Sequence, residues 1–192
     1  RPEYFLHYNN IKVRKISYAA DSTVKEVDAS DIDKLRDALS DFKYISVRNK
    51  HSYEFVKTII DKNVETVADP TLIYDIEQED TDIVNQDDYI LVYVLGNEIK
   101  GTHRKAIEHI KKQYGDLPVY SIKIPTMNFD ISDFVDKEFY DLDPKEWLNM
   151  FRKAKFIYTD SFHGVLFSMK YHKPFLAYYT EKMRATRFID LG

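Results

Sequence analysis

Cysteine is absent from the sequence, which removes disulfides, thiolate nucleophiles and cysteine-based zinc sites together and suits a reducing cytoplasm. No apolar run approaches the roughly 18 to 20 residues that a membrane helix needs. Arg1-Pro2-Glu3 carries no signal-peptide pattern, so a soluble protein is expected. Positive charge is not in excess either: 28 Lys and Arg stand against 32 Asp and Glu, for a net charge of -4. Without a global positive field, nucleic acid is not an expected partner. GxGxxG, Walker A, HExxH and EF-hand patterns are all missing, so the common nucleotide and metal fingerprints do not apply and no metal is expected.

What remains is an ordinary globular composition, 44% hydrophobic and 31% charged over 192 residues, enough for one good core or two small ones. Strand and helix patterns alternate. Lys12 to Ala19 reads as a buried strand that hides Val13, Ile16 and Tyr18, followed by a helical pattern through Ile32 to Leu39 that Ser30 would cap. Tyr44-Ile45-Ser46-Val47 reads as a second strand, leading to a helix that Ser52 would cap and that runs through Ile60, and Val64 to Ala68 as a third strand.

An acidic stretch between Asp75 and Asp88 has no steady periodicity, the usual look of a solvated linker. Beyond it, Tyr89-Ile90-Leu91-Val92-Tyr93-Val94-Leu95-Gly96 is almost continuously apolar, as in a parallel strand covered on both faces. Helix over Thr102 to Tyr114, strand over Val119 to Ile124, a long loop from Pro125 to Asp143, helix over Pro144 to Lys153, strand over Phe156 to Thr159, helix over Phe162 to Tyr171 and strand over Pro174 to Tyr178 then follow. This alternation predicts an α/β, doubly wound parallel sheet of Rossmann-like construction. The expected division is residues 1–75, an acidic linker 76–88, and a second domain 89–192. The chain reads as cut at both ends, because it does not begin with Met and closes on Phe188-Ile189-Asp190-Leu191-Gly192.

Ligands in such sheets bind at the carboxyl ends of the strands, which singles out Thr159-Asp160-Ser161-Phe162-His163-Gly164, where a buried strand gives way to a helix. The junction presents backbone N–H groups and the positive end of a helix dipole to an anion. Ser161 can cap the helix or donate to a phosphate oxygen, His163 can donate a proton, and Gly164 lets a ligand approach the backbone. The plainer alternative makes Asp160 or Ser161 an N-cap and His163 a packed first-turn histidine. Arg48 directly follows the second strand and suits an anionic substrate, or pairs with a neighbouring Asp. Asp69, before Pro70, reads as a turn former. Arg184 and Arg187 follow the last strand and either reach the same crevice or stay solvated.

Taken in order, Lys15-Ile16-Ser17-Tyr18-Ala19-Ala20, Ser46-Val47-Arg48, Ala68-Asp69-Pro70-Thr71-Leu72, Ala154 to Tyr158, Thr159-Asp160-Ser161-Phe162-His163-Gly164, Phe167-Ser168 and Lys173-Pro174-Phe175 resemble the motifs of the polysaccharide pyruvyl transferase family. The resemblance implies a GT-B-like architecture of two Rossmann-like domains, here truncated, without the family's Gly-rich amino-terminal segment or its carboxyl-terminal helical region. It implies transfer of a pyruvyl group from phosphoenolpyruvate to a sugar of a bacterial cell-surface or exported polysaccharide, with a glycan or lipid-linked saccharide as acceptor and no cofactor beyond that co-substrate. A cytoplasmic location, peripheral at the inner face of the membrane through the acceptor, goes with it.

In that picture His163 is the acid or the contact to the leaving phosphate. Arg48, Ser161, Phe162 and Gly164 hold the donor, with Arg184 or Arg187 supplying the charge that some relatives carry as Arg at the position of Ser161. Asp69 and Asp160 shape the site, and Phe129, Phe134, Phe139 and Tyr140 of the long loop contact sugar faces or are packed. Two other readings compete: a nucleotide-sugar glycosyltransferase of the same architecture, for which no ribose-binding acid is evident, and a non-catalytic anion- or glycan-binding module of a biosynthetic complex. The sequence does not give the oligomeric state.

Overall fold

Alternating side chains of one short strand organise the larger part of the molecule. In the computed structural model, which describes residues 5, 13–24, 26–76, 81–84, 88–96, 101–124, 132–180 and 185–191, β4 (Ile90–Tyr93) has its first three residues fully buried. Ile90 and Val92 enter one apolar cluster with Val119, Phe156 and the α4 (His103–Tyr114) residues Ile107 and Ile110. Leu91 enters another with Ile157, Phe139 and the α5 (Pro144–Lys153) residues Met150 and Phe151. A strand read by both faces has no polar side to show, hence the unbroken apolar run.

The sheet built on β4 contains β5 (Val119–Ile122), β6 (Lys137–Phe139), β7 (Phe156–Thr159) and β8 (Phe175–Ala177). All are parallel, in the order β6-β5-β4-β7-β8. Counted along the chain this is 3-2-1-4-5, a doubly wound order whose direction reverses between β4 and β7. The carboxyl ends of those two strands therefore define the switch-point crevice. Helix α5 opens with a capping box, Asp143 accepting from the Glu146 N–H and Glu146 from the Asp143 N–H, with Pro144 in the first turn. Trp147 carries it onto α6 (Phe162–Lys170), its ring 5.0 Å from that of Phe167. No helix among the described residues is long and apolar enough to cross a membrane.

The smaller unit is a three-stranded parallel sheet, β1 (Lys15–Ala20), β2 (Phe42–Val47) and β3 (Val64–Thr66), in the order β1-β2-β3. The connecting helices α1 (Ala29–Ser40) and α2 (Lys50–Ile59) supply Leu39, Val56 and Ile59 to one core with Phe42, Ile45, Val47 and Val64. A short α3 (Pro70–Ile73) follows β3. The compact units comprise residues 1–73 with 184–192, and residues 74–183. The closing helix α7 (Ala185–Ile189), within the stretch assigned from sequence to the second domain, is counted with the first unit.

Several local expectations change: Val13, Ile16 and Tyr18, expected to be buried, are exposed, and β1 turns Lys15 and Ala19 inward instead, Lys15 held by an ion pair to Asp41. Ser30 lies inside α1, whose N-cap is Asp28, and Ser52 lies inside α2, whose N-cap is Asn49, the side chain accepting from the Ser52 N–H. Residue type favours both serines, but caps are decided by where the backbone enters the helix. Among its described residues, the loop from Pro125 to Asp143 contains a 3-10 turn at Ser132–Phe134 and the edge strand β6. At three residues β6 is too short to show an alternating pattern. Phe139 on that strand is core, Phe134 packs against His103, Tyr140 is exposed, and Phe129 lies outside the described residues. The acidic stretch is described only at residues 75–76, 81–84 and 88, where Val84 is buried in the larger unit's core.

Phe151 is fully buried between α5 and the sheet, so Phe151→Ala is expected to cost about 3–5 kcal/mol in urea unfolding. The exposed Ile73→Ala should change stability by no more than about 0.5 kcal/mol.

Candidate functional site

The stretch Thr159 to Gly164 leaves β7 and enters α6 at the switch-point edge. Five of its six residues are buried, Thr159 and Asp160 completely, and His163 alone is exposed. Each buried member has a task. Thr159 Oγ1 donates to the Tyr93 carbonyl on β4 at 2.6 Å and accepts from the Ser161 N–H at 3.0 Å. Asp160 accepts from the Leu95 N–H at 2.6 Å and the Gly96 N–H at 2.7 Å, one bond on each carboxylate oxygen. Ser161 is the N-cap of α6, its Oγ accepting from the Gly164 N–H at 3.2 Å, and Ser168 Oγ donates to the Gly164 carbonyl one turn on.

Gly164 faces Thr159 so closely that a Cβ there would lie 2.4 Å from Thr159 Oγ1. A close approach that demands glycine in this structure is therefore made by the preceding strand. The consequence is a rigid platform that presents one ionisable side chain, His163, on the first turn of a helix, its ring 5.6 Å from that of Phe162 and nearly perpendicular to it. An imidazole there can exchange a proton, beside the helix end that favours negative charge.

A second group near this edge has no counterpart in the sequence reading. His103 opens α4 and is buried, its Nδ1 3.0 Å from the Tyr158 hydroxyl, with the rings of Phe134 and Tyr178 around it. Burial, with the Asp160 charge adding to it, pushes the Tyr158 hydroxyl up to about 12, so it stays protonated at neutral pH. Burial raises Tyr93 as well, again helped by Asp160. The Gly101-Thr102-His103 helix opening was the signal that could have drawn attention to His103.

The other candidates sit in the smaller unit, at the carboxyl ends of β1, β2 and β3. Arg48 donates to Asp69 Oδ2 at 2.7 Å and to Asp21 Oδ2 at 2.5 Å. Asp21 also accepts from Asn49 Nδ2 at 2.8 Å and from Ser52 Oγ at 3.2 Å, and lies 2.7 Å from Arg187 Nε. Asp69 further accepts from the Thr71 N–H at 2.9 Å, forming the expected turn ahead of Pro70. Two carboxylates and two guanidiniums make a neutral, mostly buried cluster that ties three strand ends to α7. The structure thus joins Arg48, Asp69 and Arg187 around Asp21. It groups Asp160, Ser161, Phe162, His163 and Gly164 separately in the larger unit, and Arg184 lies outside the described residues.

Asp21 follows β1 as Arg48 follows β2, but no motif in the sequence marks it. A β-bulge precedes it: the register shifts between Ser17 and Ala20, and Ala19 takes a left-handed φ of 51°. The Ala19 N–H is satisfied by Ser46 Oγ at 3.1 Å. Burial pushes both Asp21 and Asp69 up. The opposing bonds outweigh it, from Arg48 and Asn49 on Asp21 and from Thr71 and Arg48 on Asp69, so both end below the usual carboxylate value. Among the described residues there is no cluster of three or more metal-ligating side chains.

Carboxylates with lowered folded values contribute stability that is complete above their unfolded value and is lost as pH falls through the folded one. Unfolding free energy measured against pH should therefore fall below about pH 4 in the natural protein. Arg48→Met should lose about 3–5 kcal/mol at pH 7, with a shallower decline in acid, because it leaves two buried carboxylates short of their partner. Gly164→Ala should cost about 1–3 kcal/mol by overpacking. In a double-mutant cycle with Thr159→Ala the combined loss should be smaller than the sum, since the clashing hydroxyl is gone.

The sequence matches the family model for polysaccharide pyruvyl transferases over residues 2–182. No curated protein matches it. Among solved structures, the chain is similar to the UDP-GlcNAc 2-epimerase of Methanocaldococcus jannaschii, determined with UDP-GlcNAc and UDP. The TM-score is 0.52 and the identity 15%, over 73% of this chain and 46% of that one. A Listeria monocytogenes protein provisionally named a UDP-N-acetylglucosamine 2-epimerase matches with a TM-score of 0.38 and 14% identity, over 67% of this chain and 39% of that one. At 15% identity the likeness to the Methanocaldococcus jannaschii enzyme concerns fold alone, and it agrees with the Rossmann-like class expected from the strand and helix order and with the GT-B-like architecture that the family resemblance implies. With the family model covering nearly the whole sequence, the chain belongs to the polysaccharide pyruvyl transferase family.

Proposed function

We propose that this chain is part of an enzyme that moves the pyruvyl group of phosphoenolpyruvate onto two hydroxyls of a polysaccharide or lipid-linked sugar, forming a ketal and releasing inorganic phosphate. The observation that carries the reading is His163, the one exposed side chain of an otherwise buried strand-to-helix junction at the switch point of the sheet, in a chain of this family.

The chemistry needs a proton delivered to the methylene carbon of the donor as a sugar oxygen bonds to its central carbon. A second hydroxyl then displaces the phosphate by breaking the C–O bond. His163 as imidazolium supplies the first proton and takes back the one lost by the attacking hydroxyl. The proton of the second hydroxyl leaves with phosphate. The positive end of α6 favours the donor's anionic groups, and the Ser161 hydroxyl, which accepts from Gly164, keeps its own proton to donate.

Arg48 and Arg187 are engaged by Asp21, and Arg48 by Asp69 as well, which favours a bracing role for them over donor binding. The enzyme works in the cytoplasm, reaching the inner face of the membrane only through its acceptor.

Calorimetric titration with phosphoenolpyruvate should show saturable binding that exceeds that of inorganic phosphate and of uridine diphosphate. His163→Ala should lower kcat about 10²- to 10⁴-fold in the active enzyme, with phosphate release as readout. Saturable uridine diphosphate binding without phosphoenolpyruvate binding would instead support the glycosyltransferase reading, and a folded His163→Ala variant with unchanged kcat would remove His163 from the chemistry.

A further inference from the structure

The aromatic cluster at the carboxyl end of β4 holds a hydroxyl that the chemistry above does not use. Tyr93 is the last residue of β4 and lies directly across the ladder from Thr159 of β7. Residues so paired show their side chains on one face of the sheet, here the face where Thr159 meets Gly164 and α6 begins. Two rings of α5 stand nearly perpendicular to the Tyr93 ring, Trp147 at 5.4 Å and Phe151 at 5.6 Å. Phe151 is fully buried, whereas Tyr93 and Trp147 are each partly exposed. The direction of one hydrogen bond decides what the hydroxyl can do. An indole N–H only donates, and Trp147 Nε1 is bonded to the Tyr93 hydroxyl. The phenolic oxygen is therefore the acceptor in that bond, and its own proton points away from Trp147. Burial and the Asp160 charge keep that proton in place, while the oxygens of Asp160 are taken up by the Leu95 and Gly96 N–H groups.

From this we propose that Tyr93 is an acceptor-binding residue, whose hydroxyl donates to an oxygen of a neutral pyranose that takes the Trp147 ring as its apolar wall. A sugar offers what this corner accepts, hydroxyl oxygens beside an apolar C–H face. A second anion would be repelled by the Asp160 charge that reaches the same hydroxyl. The donor's phosphate and carboxylate therefore belong to the positive end of α6, and the acceptor enters over β4, so that the two substrates meet from neighbouring strands. The inference deepens the reading above and rests on it for the class of acceptor.

Trp147 is the one tryptophan of the chain, so its indole N–H gives a single resonance in a ¹⁵N spectrum of the intact protein. The test follows that resonance as the methyl pyranosides of glucose, galactose and mannose are added in turn, in the natural protein and in Tyr93→Phe. At least one glycoside should move the resonance of the natural protein and saturate. Tyr93→Phe keeps the ring and should bind that glycoside about tenfold more weakly, the scale of one hydrogen bond. Phosphoenolpyruvate, followed by calorimetry, should bind both proteins alike. The absence of a saturable shift with every glycoside would overturn the proposal even if the variant does not fold. So would a folded Tyr93→Phe protein that binds the glycoside as tightly as its parent, or that loses phosphoenolpyruvate instead. If phosphoenolpyruvate does not bind the natural protein while a glycoside still moves the indole resonance, the donor assignment falls and the sugar subsite stands.

Discussion

The edge where β4 and β7 end is held by side chains of one strand bonded to the backbone of the other, and the rest of the larger unit is arranged around that closure. Thr159 reaches across to the Tyr93 carbonyl and Asp160 to the next two N–H groups along. Each of these bonds satisfies a backbone group that the ladder leaves open where pairing stops. Thr159 then occupies the space next to residue 164, so that residue has no room for a side chain. With glycine there, α6 can start immediately against the strand, and its first turn is where His163 emerges.

The smaller unit solves the same problem with charge. Asp21, Arg48 and Asp69 follow three neighbouring parallel strands, and the guanidinium between two carboxylates ties all three ends together. The buried carboxylates are tolerable because each is paired with a guanidinium, with Asn49, Ser52 and Thr71 taking up remaining carboxylate valences. In the larger unit one carboxylate is balanced by backbone dipoles instead. The first arrangement is closed to further charge. The second leaves a titratable group at the surface of the crevice.

Much of this architecture was legible in the residues. The apolar run at β4, the helical spacing of α4 and α5 and the strand at Phe156 were evident because burial on defined faces imposes period. The edge strand β6 was not, because three residues carry no period, and the caps of α1 and α2 were misplaced by residue type. The site was half legible. The motif from Thr159 to Gly164 fell on a strand-to-helix junction, since such a turn at a carboxyl edge can be placed from pattern alone. The partners of its members were hidden, because Leu95 and Gly96 lie 65 and 64 residues away from Asp160 and contribute backbone N–H groups that no side-chain motif records.

The sequence by itself determined that strands and helices alternate, that the sheets are parallel, that β4 is covered on both faces, and that Asp160, Ser161 and His163 stand where a strand hands over to a helix. These are consequences of local spacing and of the balance of apolar and polar residues. Tertiary structure alone decided which anion each donor takes: Asp160 for the N–H groups beyond β4, and Asp21 and Asp69 for Arg48. Pairing of that kind depends on the order of strands and on a bulge at Ala19, so it is fixed only when distant segments are brought within hydrogen-bonding distance.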